Sequence, residues 1–100
     1  MAEGGHERAV VTVLGEDRIG IIAAVSAQLA SRRVNIMDIS QTTVGGIFSM
    51  VMWVDLAAMT VPLDAMVQEM EELGQRLGLI IQMRHMAIFA AMHRLDREEP

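Results

Sequence analysis

Between residues 15 and 20 the chain reads Gly-Glu-Asp-Arg-Ile-Gly, so two glycines bracket a carboxylate and a guanidinium. Gly15 and Gly20 allow positive φ or close backbone approach to a ligand. The segment runs into a stretch of helical periodicity. The free amides and positive dipole end of that helix attract an anion such as a carboxylate. Asp17 could accept a hydrogen bond from a ligand amine, and Arg18 could pair with a ligand carboxylate. Further on, Asn35 opens a strand-like segment with an amide that both donates and accepts. Such a set suits a zwitterion, an amino acid. The plainer alternative is a tight strand-to-helix turn with Asp17 as cap and Arg18 in solvent. Spacing alone favours that alternative, because two glycines around a loop are a weak signal.

Other chemistries are poorly served. All eight basic residues are arginine, which removes Schiff-base and phosphate-loop lysines. Cysteine is absent, so there are no disulfides, thiol nucleophiles or thiolate metal ligands, which fits a reducing, cytoplasmic setting. His85 and His93 stand eight residues apart, too far along one helix to share an ion. No metal site and no cofactor are expected. Ten methionines could suit soft copper(I). However, Met66 and Met70 repeat at helical spacing and Met50 and Met52 at strand spacing, as core residues do. No serine-histidine-aspartate series and no poised carboxylate pair is recognisable. A net charge of −5 and a pI near 5.0 make nucleic acid an unsuitable partner. No apolar run reaches the ~18 residues of a membrane span.

The elements that must position these residues follow from hydrophobic patterning. At 100 residues, 52% of them hydrophobic and 21% charged, the chain suits one thin-cored domain and is no disordered segment. Residues 1–8 read as a flexible N-terminus, 9–95 as the domain, and 96–100 as a polar tail. Ala9–Leu14 is a short β-branched run, a strand. From Ile21 to Ser31 the apolar residues Ile22, Val25 and Leu29 share one helical face. Val34–Val44 reads as a second strand. Ile36 and Ile39 have opposite parity there, which a β-bulge between them would reconcile. Asp38, Ser40 and Thr42 share parity, either as ligand contacts or as a solvent-facing row. Gly45-Gly46 marks a hairpin into a third strand, Ile47–Asp55, apolar on both faces. A second helix follows, with Thr60 as cap candidate, Pro62 in its first turn and Gly78 at its end. Its stripe is Leu63, Met66, Val67, Met70, Leu73 and Leu77, leaving Glu69, Glu71 and Glu72 to solvent. Leu79–Arg84 is a fourth strand, and residues 86–95 form a helix apolar almost all round.

That order is βαββαβ plus a C-terminal helix, the ferredoxin-like α/β (α+β) arrangement with a four-stranded antiparallel sheet. Two helices cover one sheet face. The apolar outer face of strand three and the last helix close the other face, within one chain or across a dimer.

The loop Gly15-Glu16-Asp17-Arg18-Ile19-Gly20-Ile21 resembles the Gly-x-Asp-x-x-Gly-Ile loop that leads into the first helix of ACT domains. Asn35-Ile36-Met37-Asp38-Ile39-Ser40-Gln41-Thr42 is similar to the second strand of a subgroup of small single-ACT-domain proteins. Phe48-Ser49-Met50 and the stretch from Ile88 to Leu95 also follow that pattern. The likeness spans residues 9 to 95. It departs at Met86-Ala87, where acidic residues would be expected. The resemblance implies a non-catalytic regulatory module that binds a small molecule, often an amino acid, between subunits of a homodimer or higher oligomer. Carried over by position, the contacts are Gly15, Asp17, Gly20 and Asn35, with Ile36 and Asp38 as weaker additions. The protein it would regulate is open. Two alternatives stand beside it. One is an acylphosphatase-like hydrolase, which would use Arg18 and Asn35 to hold a phosphate and a water. The other is a dimerisation module with an empty site.

Overall fold

The β-branched run near the start of the chain becomes β1 (Arg8–Glu16), two residues longer at its C-terminal end than patterning implied. The order continues with α1 (Ile21–Ser31), β2 (Asn35–Val44), β3 (Ile47–Asp55), α2 (Leu63–Leu77), β4 (Ile80–His85) and α3 (Met86–Arg97). The structure, a computed structural model, describes residues 7–97, with side chains from residue 7 to residue 92. Most of the expected N-terminal segment, including His6, and residues 98–100 of the expected tail lie outside the described residues. So do the side chains of His93, Arg94 and Leu95.

The four strands form one antiparallel sheet in the order β2-β3-β1-β4. This is the ferredoxin-like topology, with β1 and β3 central and β2 and β4 at the edges. Helices α1 and α2 cover one face. Alternation then puts Ala9, Val11 and Val13 of β1, Phe48, Met50, Met52 and Val54 of β3, and Ile81 and Met83 of β4 beneath them. The helices answer with Ile21, Val25 and Leu29 from α1 and Met66, Met70 and Leu73 from α2. On α1 the inward residue of the first turn is Ile21, and Ile22 lies largely outside the core. The four methionines singled out by their spacing are all buried. Each such side chain contributes roughly 1.5–3 kcal/mol by leaving water.

The expected bulge is present. Register on β2 slips between Ile36 and Asp38, leaving Met37 without a partner on β3. Ile36 therefore pairs with Val54 and Ile39 with Met52, both on the helix-covered face. Asp38, Ser40 and Thr42 face the other side, opposite Trp53, Val51 and Ser49.

Two features of α2 differ from expectation, its start and the setting of Glu69. Pro62, extended at φ −63 and ψ 155, is the residue that caps α2, so Thr60 lies outside the helix. Thr60 instead bonds through its N–H and hydroxyl to the Arg32 carbonyl, at 3.0 and 3.3 Å. Glu69 is not in solvent. Its carboxylate takes two hydrogen bonds from Arg32, at 3.0 and 2.8 Å, and one from Gln28 at 2.8 Å. This ties α1 to α2 across their outer surface.

The second sheet face is closed in part by the chain itself. Helix α3 starts directly after His85, with no loop, and turns back against β1 and β4. The ring of Phe89 meets Trp53 edge-on, with centroids 6.1 Å apart and planes at 82°. Val10, beside Trp53 and Arg84 on this face, is buried. Leu14, Val44, Ile47 and Ile80 stay exposed beyond the helix. Among the described residues no helix is long and apolar enough to cross a membrane.

Candidate functional site

The segment from Gly15 to Gly20 divides between two elements. Gly15 and Glu16 belong to β1, and only Asp17 to Gly20 form the connection to α1. A side chain on Gly15 would meet Leu79, whose Cδ2 would lie 2.5 Å from the added carbon. The room at Gly15 is therefore taken by core packing. Gly20 differs. It sits at φ 93, the left-handed region, and the space where a side chain would project is open. It is the N-cap of α1 without any side-chain cap, so the first amides of the helix are free of side-chain partners there. Asp17 does not cap the helix. Its amide donates to the Gly46 carbonyl at 2.9 Å, which draws the loop sideways from β1 toward the β2–β3 turn. The side chains of Asp17 and Arg18 are exposed, and Ile19 at the tip is fully exposed.

Asn35 opens β2, as expected, and pairs with Asp55 on β3. Gly15 pairs with Phe48 on the same strand. Those partners are seven residue steps apart along β3, so the Gly15 end of β1 and Asn35 stand roughly 23 Å apart at opposite ends of the sheet. Within one chain Arg18 and Asn35 cannot meet on a common phosphate, and the acylphosphatase-like alternative has no single-chain cradle.

The Asn35 end has a hollow of its own, about 310 Å³, lined by Ala30, Arg33, Val34, Asn35 and Ala58. Arg33 in that lining was not among the residues that patterning put forward. It lies just past α1 at φ 61, a left-handed conformation that costs a non-glycine residue about 1–2 kcal/mol. There it lines the hollow together with Asn35, and no ion pair joins it to another described residue. Ile36 is half-buried and helix-facing. Asp38 is exposed on the opposite face, its Oδ1 accepting the Ile39 N–H at 2.9 Å. The predicted residues thus fall into two groups. Gly15, Asp17, Arg18 and Gly20 stand at the hairpin end, with Asn35, Ile36 and Asp38 at the other.

No group of three or more metal-ligating side chains is found among the described residues. His85 ends β4 and lies outside the helix, unlike the pairing considered for it with His93. Its Nδ1 accepts the Ala87 N–H at 3.1 Å and caps α3, leaving Nε2 to donate to Glu7 Oε1 at 3.3 Å.

Residues 7–84 match the ACT domain family. A UPF0237 protein of Pyrobaculum aerophilum is 49% identical over 89 residues, which cover 89% of this chain and 99% of that protein. The solved structure of an ACT domain protein from Streptococcus pneumoniae superposes with a TM-score of 0.74 at 36% identity, over 83% of this chain and 93% of that one. A formyltetrahydrofolate deformylase from Pseudomonas syringae is alike in fold, with a TM-score of 0.73 at 21% identity, over 79% of this chain and 27% of its own.

Proposed function

Because the chain belongs to the ACT-domain family, we propose that it is a regulatory module that breaks no bond and binds a small ligand, an amino acid, between two copies of itself. The observation that carries this reading is the separation of the two candidate groups to opposite ends of the sheet. Strand β2 is an edge strand with a free side. Two copies joined antiparallel along β2, about a twofold axis normal to the sheet, would invert one copy relative to the other. Asn35 and Arg33 of one copy would then come to the end that carries the Asp17–Gly20 loop of the second. The Asp17–Gly46 hydrogen bond supports this, since it holds the loop over the hairpin that ends β2.

The chemistry of the two halves is complementary. The open helix start at Gly20 and the Arg33 guanidinium suit a carboxylate, and Asp17 suits an ammonium. Asn35 can serve either group. Exposed Ile19 and Val44 (69% exposed) at the loop end gain cover in such a pair. The ligand would act by linkage: affinity for one arrangement of the two copies stabilises that arrangement, which a regulated protein reads.

A thermal-shift screen of the proteinogenic amino acids tests the proposal. Binding to the native pair raises its apparent stability, by ~2.7 kcal/mol at a ligand concentration a hundredfold above Kd. Asn35→Ala is expected to abolish the shift while the molecule still sediments as a pair. Absence of any shift, with a monomer at micromolar concentration, contradicts the reading. Acyl-phosphate turnover abolished by Arg18→Ala would replace it with the hydrolase.

A further inference from the structure

The seam where α2, β4 and α3 meet holds a second hollow, about 420 Å³, within the 300–1,000 Å³ range of small-molecule sites. It lies away from both candidate groups, and nothing in the proposed ligand reading uses it. Its floor is apolar: Leu63 and Val67 from α2, Met83 from β4 and Ile88 from α3. Ile88 is 56% exposed although it borders this floor, and so leaves apolar surface in contact with water.

The polar groups at its rim differ in how far they are satisfied. His85 is committed on both ring nitrogens, to Ala87 N–H and to Glu7. Asp64 accepts the Ala65 N–H at 2.9 Å and stays exposed. Arg84 is half-buried, and among the described residues its side chain donates to the Met92 sulfur at 3.2 Å, a weak acceptor. No described carboxylate pairs with it: Glu69 is held by Arg32, and Glu7 accepts from His85. A half-buried guanidinium with no counter-charge among the described residues can take an arriving anion in a charge-assisted hydrogen bond.

We propose that this hollow is a binding site for a short aliphatic carboxylate, with its tail on Leu63, Val67, Met83 and Ile88 and its charge on Arg84. The rim sets the orientation. The cation draws the carboxylate toward β4, and the Asp64 carboxylate on α2 repels it from the other side. A tail of roughly four to six carbons matches a floor of four side chains, and affinity is expected in roughly the millimolar range for so small a ligand.

The test is a titration of the protein, labelled with ¹³C at its methionine methyls, with 4-methylpentanoate. The Met83 signal should move and saturate, while those of Met66 and Met70, deep in the core, stay fixed and report an intact fold. The uncharged 4-methylpentanamide should bind at least about tenfold more weakly, and Arg84→Gln should weaken the carboxylate by roughly the same factor, as loss of a charge-assisted hydrogen bond implies. Asp64→Asn should tighten binding. Asn35→Ala should leave it unchanged, which separates this site from the seam between copies. A Met83 signal that does not saturate, an amide that binds as well as the acid, or Arg84→Gln binding like the parent would overturn the assignment.

Discussion

Glycine does two different jobs around Leu79. An added carbon on Gly74, inside α2, would lie 2.7 Å from the Leu79 carbonyl oxygen, and one on Gly15 would press the tip of the Leu79 side chain. The first obstacle is backbone and cannot turn aside; the second is a flexible methyl. Helix propensity alone says Gly74→Ala should stabilise α2 by about 1 kcal/mol. Overpacking reverses the sign, and urea unfolding should show a loss of ~1–3 kcal/mol. Gly15→Ala should cost less than Gly74→Ala. Neither contact was legible in the sequence, because each glycine meets Leu79 only once α2 has turned into β4. The Arg32–Glu69 pair was equally hidden, since Glu69 sits among acidic residues with a solvated pattern. The hydrogen bonds from Arg32 hold the Glu69 carboxyl below its usual range, against the opposing effect of its partial burial. A depressed pKa in the folded state adds stability above the unfolded-state value, and that contribution is lost as pH falls through the folded-state value. Glu69→Gln should therefore lower the thermal midpoint slightly at pH 7 and shrink the difference from the parent on the acid side. An unchanged difference at pH 7 and at pH 3 would rule out this linkage.

Elements were far more legible than their contacts. Period-2 and period-3.6 patterning gave β3 to the residue, and opposite parity at Ile36 and Ile39 pointed to the bulge that β2 contains. Both signals survive because one face of each element must be buried, so a slip of one residue would expose a whole set. Helix α3 shows what patterning leaves open. Its apolar surface announces a covered helix but not which surface covers it, and the answer is partly Trp53. That edge-to-face pair contributes about 0.5–1.5 kcal/mol beyond area burial. Trp53 is the only tryptophan, so its emission reports on the surroundings of this one ring, Phe89 among them. Phe89→Ala should shift the emission to the red and destabilise by about 3 kcal/mol or more for a buried ring, less in proportion to its partial exposure. An unshifted emission would mean that α3 does not rest on the sheet through this contact.

At the scale of the whole molecule, the candidate site was legible as residue types but not as a place. The sequence put Asp17, Gly20 and Asn35 forward, and a parallel β1-α1-β2 crossover necessarily sends the end of β1 and the start of β2 to opposite ends of a sheet. No packing within one chain brings them together, so the ligand-binding account rests on a second copy. The most direct measurement mixes two defective proteins, Asp17→Ala and Asn35→Ala, and reads the thermal shift with the amino acid most effective on the parent. If each site takes its loop from one copy and its Asn35 from the other, a mixed pair regains one intact site. The mixture should then bind where neither variant does alone. A mixture as inert as its components, in conditions where subunits are shown to exchange, would contradict the account.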